Sequence, residues 1–265
     1  MLSNLFLKTC RDHWRGFLGW MLGLIAIVSV QLAVYPTIRK SSADLAAYMH
    51  NFPPAFQKIF RMQDYASGAG YISTELLSFM IPFIFIAVGA SWGANSTALE
   101  EERGTSDFLL SMPISRTQIV LSKLSAAVLA QVLLAVVVGA SVIIGRRYVD
   151  LIADDSNIVA SVLVCALLGL LFLGIALLIG VSTGKKTLAL GGTIAVALAS
   201  FLFYSLAPLV NTFDAILAAN PFQWTLGSDP MHKGFDVWHI LLTLGVASAF
   251  YVASLIIYDR RDLVA

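Results

Sequence analysis

IVASVLVCALLGLLFLGIALLIGVST, residues 158–183, runs for 26 positions without one charged side chain. Coiled as an α-helix at ~1.5 Å per residue, it is about 39 Å long, more than the ~30 Å apolar core of a bilayer. Leucine, valine and isoleucine occur on every side of that helix, so it offers no polar face to water. The stretch is a membrane span. Outward from it, five more runs reach the required length of about 20 mainly apolar residues. They lie at 17–38, 76–99, 117–145, 187–210 and 237–258, and none carries a charge at its centre.

The composition has the same cause. Hydrophobic residues make up 58% and charged residues 12%, and mean hydropathy is +0.82, whereas a soluble domain is roughly a quarter charged. Six spans use nearly all of the 265 residues and leave no room for a soluble catalytic domain. We therefore expect an all-α membrane protein in which residues 1–265 form a single transmembrane domain of six transmembrane helices.

Several functions are excluded at this level. A net charge of +1 provides no basic patch for phosphates, so nucleic acid is not a partner. Cys10 precedes the first span and Cys165 lies inside a later one, so a disulfide between them is not expected. Charges within spans mark ion pathways and proton relays, and their absence at the span centres argues against ion-coupled transport. Pro82, inside the second span, is expected to kink it. Lys8, Arg11 and Arg15 ahead of an apolar run resemble a signal peptide, but the run ends at Tyr35-Pro36-Thr37 without a small-x-small cleavage site. It reads as a retained first span.

Orientation follows the distribution of lysine and arginine. With both termini cytoplasmic, ten of the 17 basic residues face inward: Lys8, Arg11, Arg15, Arg103, Arg116, Lys123, Lys185, Lys186, Arg260 and Arg261. Seven face outward: Arg39, Lys40, Lys58, Arg61, Arg146, Arg147 and Lys233. The tight basic turn Gly184-Lys185-Lys186 and the acidic Asp150, Asp154 and Asp155 support the same sense. The chain is thus expected in the cell (cytoplasmic) membrane, multi-pass. Residues 2–15 mix Leu5, Phe6 and Trp14 with basic side chains, as a helix lying on the inner surface would. The outer loop 39–73 holds amphipathic stretches at 45–49 and 55–60 around Pro53-Pro54. The outer loop 211–236 contains Pro221 and Trp224, and with Trp238 just beyond it carries an interfacial aromatic signature.

The segment 100–116 is the least generic part of the chain. Glu100, Glu101 and Glu102 end the second helix at the inner surface, and Gly104 permits a sharp change of direction. Thr105 is placed to cap a new helix with Asp107 in its first turn. Residues 107–112 read as a short helix with apolar Phe108, Leu109 and Leu110. Pro113 ends it, and Ser115 can cap the third span. The alternatives are a tight charged turn or a surface helix whose apolar side chains are covered by the bundle or by a soluble partner.

The ordered string Glu101-Glu102-Arg103-Gly104-Thr105, then Leu109-Leu110-Ser111-Met112-Pro113-Ile114-Ser115-Arg116, then Lys123, resembles the signature of type-2 ABC transporter permeases. Gly70-Tyr71-Ile72-Ser73-Thr74-Glu75 resembles the family's approach to the second span, as does the Pro-Pro stretch of the first outer loop. The resemblance implies an N-terminal elbow helix at 2–15 and a cytoplasmic coupling helix at 107–112 between spans two and three. It further implies a cytoplasmic ABC ATPase in two copies and a second permease, identical or homologous. ATPase coupling would then fall to Glu100, Glu101, Glu102, Gly104, Thr105, Asp107, Phe108, Leu109, Leu110, Pro113 and Arg116. A substrate pathway lined by the second and fifth spans would include Phe79, Pro82, Phe83, Ile86, Phe201 and Tyr204.

No catalytic apparatus accompanies these features. The nearest approach to a phosphate-binding loop, residues 180–187, has its glycines one residue too close and Lys186 where serine or threonine is needed. Of His13, His50, His232 and His239, none forms His-Glu-x-x-His. Thr105 stands where a Glu-Glu-x-x-x-Arg protease motif requires arginine. The chain is therefore expected to hold no metal and no cofactor, with ATP and magnesium bound by the partner. The function expected is the permease subunit of an ATP-driven exporter. The alternatives are a stand-alone channel or secondary carrier, or a non-transporting sensor or assembly subunit. A pathway poor in charge points to lipophilic or amphipathic cargo in contact with membrane lipid. Gly19 with Gly23, and Gly180 with Gly184, have the spacing of close helix contacts, and Gly191-Gly192 is placed to loosen the fifth span.

Overall fold

The computed structural model describes residues 2–41, 64–65, 67–102, 104, 115–209 and 214–261. The amphipathic stretches at 45–49 and 55–60 lie outside them. So does the segment 107–112 expected to be the coupling helix, with Thr105, Asp107, Phe108, Leu109, Leu110 and Pro113.

Among the described residues there is no strand, and six helices are long and apolar enough to cross a membrane. In chain order the helices are α1 (Leu2–Lys40), α2 (Gly68–Asn95), the short α3 (Ala98–Glu102), α4 (Arg116–Tyr148), α5 (Asp155–Thr183), α6 (Lys186–Leu206), the short α7 (Asp214–Ala218), α8 (Pro221–Thr225) and α9 (Pro230–Lys233), and α10 (Val237–Arg260). The spans are α1, α2, α4, α5, α6 and α10. We call basal the end that gathers α3, the start of α4 and the end of α10, and distal the opposite end.

Four of the six spans, α2, α4, α5 and α10, start where the sequence supplies a side-chain cap. Ser115 accepts from the Gln118 amide while the Gln118 side chain accepts from the Ser115 amide, both at 3.2 Å, which satisfies orphan donors at both positions. Asp154 caps α5 through the Ser156 amide, and Asp236 caps α10 through that of His239. Gly184, at φ +66°, ends α5 with its amide bonded to the Gly180 carbonyl. That left-handed conformation favours glycine.

Three expectations change. Residues 2–15 are not a separate elbow: Leu2–Lys40 is one unbroken helix of 39 residues. No proline interrupts it before Pro36, and Thr9 and His13 bond back to the Leu5 and Thr9 carbonyls of the same helix. At ~1.5 Å per residue α1 is about 58 Å long, so several turns extend beyond a ~30 Å bilayer core. The second span starts earlier than residue 76, at Gly68, where Ser67 caps it. The irregularity expected at Pro82 takes the form of π-helix over Ser73–Met80. Pro82 has no amide to give to the Ser78 carbonyl, and Ile81 donates to Leu76, five residues back.

The most apolar helix forms the centre. The apolar window of α5 is 72% buried and that of α2 61%, against 17% for both α1 and α10. Lipid is as apolar as leucine, so what selects the interior is close packing by small residues. The contact that matters is α2 against α5. A Cβ at Gly93 would stand 2.6 Å from the Leu173 carbonyl oxygen, and one at Gly169 would stand 2.9 Å from that of Phe85. Gly89 meets the Gly169 carbonyl in the same seam. Among the described residues of the chain, nothing lies within 4 Å of a Cβ built at Gly19 or Gly23, so the close contact expected there is not an intrachain one. Beside the seam Gln131 of α4 is fully buried and donates to the Phe85 carbonyl at 2.9 Å.

At the distal end, residues 220–225 fold back along α6. Asn220 caps α8 through the Phe222 amide and donates at 2.7 Å to the carbonyl of Ser200. Ser200 lies six residues before the end of α6, about 9 Å down the helix. Phe222 is fully buried in consequence.

Candidate functional site

The basal end is built around a break in the second span. At Thr97 the backbone leaves helical geometry, with φ −136°. The amides of Glu100 and Glu101 both turn to the Thr97 carbonyl, at 3.0 and 3.2 Å. The Ser96 carbonyl therefore loses the donor that a continuing helix would supply. Lys123, reaching across from α4, provides it. Its ammonium donates to Ser96 O at 2.6 Å and pairs with Glu100 Oε2 at 2.6 Å. Lys123 is only 7% exposed, so both contacts act where water screens them little.

The other two glutamates reach different helices. Glu101 pairs with Arg261, just past α10, at 3.1 Å. Burial holds its carboxyl above the usual glutamate range while the Arg261 charge pulls it down. Arg261 also donates to the Val181 carbonyl in the last turn of α5 at 2.8 Å. Glu102 accepts from the Thr187 amide at the start of α6, at 3.5 Å. Arg116 donates to the Arg261 carbonyl at 2.7 Å and to that of Tyr258 at 3.4 Å. Acids meet a helix N-terminus and guanidiniums meet helix C-termini, the favourable sense for the helix dipole. The consecutive carboxylates thus tie the end of α2 to α4, to α6 and to the junction of α5 with α10. Gly104 follows at φ +64°.

Of the residues expected to couple to a partner, Glu100, Glu101, Glu102 and Arg116 converge here. Sequence reasoning missed Ser96, Thr97 and Arg261. The lone lysine of α4, Lys123, was the available signal for a buried counter-charge. Nothing in the sequence marked Ser96 as the carbonyl that needs it.

The expected pathway residues divide. Phe79, Phe83 and Phe201 form a triad with ring centroids 5.0–5.6 Å apart. Phe222 joins Phe201 at 5.4 Å and Tyr204 at 6.0 Å, contributed by α8. Pro82 and Ile86 are buried in the bundle interior.

A bundle of six helices, each long and apolar enough to cross a bilayer, is a multi-pass membrane protein. The family model described as ABC-2 family transporter protein matches residues 3–263, and the chain belongs to that family. It is thereby a membrane domain of the ABC transporter class, the type-2 permeases. No curated protein matches the chain.

Proposed function

We propose that this chain is the permease subunit of an ATP-driven exporter, with ATP and magnesium bound by a separate cytoplasmic ATPase. The basal end is the cytoplasmic one, both termini lie there, and two such permeases pair with two ATPase subunits. The observation that carries the reading is the tethering of Glu100, Glu101 and Glu102 to three different parts of the bundle. A force applied to the segment beyond Gly104 enters α2 through the break at Thr97 and reaches α4, α6 and α10 together. For ATP to drive transport, the ATPase must grip residues 107–112 differently in its nucleotide states, because only differential binding shifts a conformational equilibrium.

The substrate route passes the aromatic group Phe79, Phe83, Phe201 and Tyr204, whose apolar faces suit lipophilic or amphipathic cargo. The direct test is co-purification with a soluble ATPase, repeated with Phe108, Leu109 and Leu110 each changed to glutamate. Loss of the complex with the bundle still folded supports the docking role. Full assembly and ATP-dependent transport by the variant refute it. Transport by this chain alone in liposomes would establish a channel or carrier instead.

A further inference from the structure

At the distal end a cavity of about 670 Å³ opens between α2, α5, α6 and the α8–α9 segment, within the ~300–1,000 Å³ typical of small-molecule sites. Its walls carry the hydroxyls of Ser73, Ser78, Ser161 and Ser205, one or more from each span. Tyr204 presents its ring at the inner side, backed by Phe222. The mouth carries Asp64 and Asp229, and among the described residues no lysine or arginine lines the cavity. Between the two carboxylates stands His232, with Nδ1 2.9 Å from Asp229 and Nε2 3.2 Å from Asp64. One imidazole thus links α9 to the residues that lead into α2.

The walls accept hydrogen bonds and carry negative charge at one end and an aromatic face at the other. Among the described residues an anionic headgroup meets two carboxylates and, as its one possible counter-charge, the His232 imidazole they already hold. A cation with apolar substituents meets two carboxylates and a tyrosine ring. We propose that this cavity binds organic cations, with the charged centre beside the Asp64–His232–Asp229 cluster and the apolar substituents against Tyr204, Leu77 and Met231. The proposal names a ligand class for the transporter reading and rests on it.

His232 makes the site pH-dependent. Its charged neighbours are Asp229 from its own turn and Asp64 from the approach to α2, while α5 and α6 bring Ser161 and Ser205 to the same cavity. An imidazolium donates to both carboxylates and neutralises the mouth, whereas neutral imidazole donates to one. The Asp229 bond, then Asp64, holds the His232 pKa above its ordinary 6.5, with burial opposing. A permanently charged ligand therefore competes with the proton and binds more tightly as pH rises through this titration.

The experiment uses the full chain alone in lipid nanodiscs, with equilibrium binding of radiolabelled tetraphenylphosphonium between about pH 6 and pH 8. Saturable binding is expected, tighter at the upper pH, and about tenfold weaker in the double variant Asp64→Asn, Asp229→Asn. His232→Gln is expected to remove most of the pH dependence. The proposal is overturned by absence of saturable binding or by equal affinity at the two pH values. It is equally overturned by a folded double variant that binds like the parent, or by equal binding of neutral triphenylphosphine oxide. The pH comparison uses the parent chain and so stands even where the double variant does not fold. The ATPase takes no part in the measurement, so failure here leaves the complex-formation test of the transporter reading untouched.

Discussion

Replacing Lys123 with methionine keeps the length and apolar stem of the side chain and removes only the ammonium. Two groups then lose their contact with the ammonium: the Glu100 carboxylate and the Ser96 carbonyl, each now 2.6 Å from the nitrogen. A charge-assisted hydrogen bond contributes about 1.5–3 kcal/mol, and a stranded buried acceptor costs about 1–3 kcal/mol. Breaking a fully buried pair costs about 3–5 kcal/mol, but the Glu100 side chain is 23% exposed and regains some water. The net expectation is about 3 kcal/mol. At roughly 2–4 °C per kcal/mol for a chain of this size, the melting temperature falls by about 6–12 °C. Thermal unfolding of the detergent-purified chain, followed by tryptophan fluorescence, measures it. A cycle with Glu100→Gln isolates the pair, for which a coupling of about 1–3 kcal/mol is expected. A variant melting within about 2 °C of the parent, or strict additivity in the cycle, refutes the claim that Lys123 pins the break at Thr97.

The α2–α5 seam predicts that Gly93→Ala destabilises by about 1–3 kcal/mol, because the atoms in its way include backbone; Gly19→Ala, with open space around it, is the neutral control in the same melting assay. Ser115→Ala removes the cap of α4 and is expected to lose about 1 kcal/mol, with the shift read against Gln118→Ala, which disables the other half of the box. Glu101 gives a pH prediction. Its carboxyl titrates above the ordinary 4.5, so the folded chain holds that proton more tightly than the unfolded one. Stability from this group then falls as pH rises through the window from 4.5 to the raised value and is level above it. Glu101→Gln is expected to flatten melting temperature against pH in that window; identical slopes in parent and variant would count against burial as the dominant influence.

The spans were legible because bilayer thickness sets a length that composition alone can meet, and Ser115 because a cap is a local matter of a few residues. The short helix at 107–112 was read from Thr105, Asp107 and Pro113, and only its coupling role rests on the family resemblance. The continuity of α1 was missed since amphipathic pattern says which face is apolar and not whether the axis bends. The glycine seam was missed for a different reason. Gly89 and Gly93 share the spacing of Gly19 and Gly23, and only the partner helix distinguishes a packed pair from an open one. The Lys123–Ser96 contact depends on a backbone break at Thr97, and the orphaned carbonyl it creates has no signature of its own. The folded-back course of residues 220–225 likewise follows from Asn220 finding a carbonyl in α6, a partner 20 positions away.

The burial of the most apolar helix has a bearing on biogenesis. Nascent α2 and α4 enter the bilayer before α5 exists, so the Gly89–Gly93 face and the Gln131 amide first meet lipid. About 52 codons separate Gln131 from the end of α5, which at ~5–20 residues per second is roughly 3–10 s of exposure. During that interval the half-made bundle carries a lipid-facing amide and an open groove. A ribosome stalled ahead of residue 155 would leave that intermediate as an assembly target for membrane quality control, while arrival of α5 erases both features in one docking step.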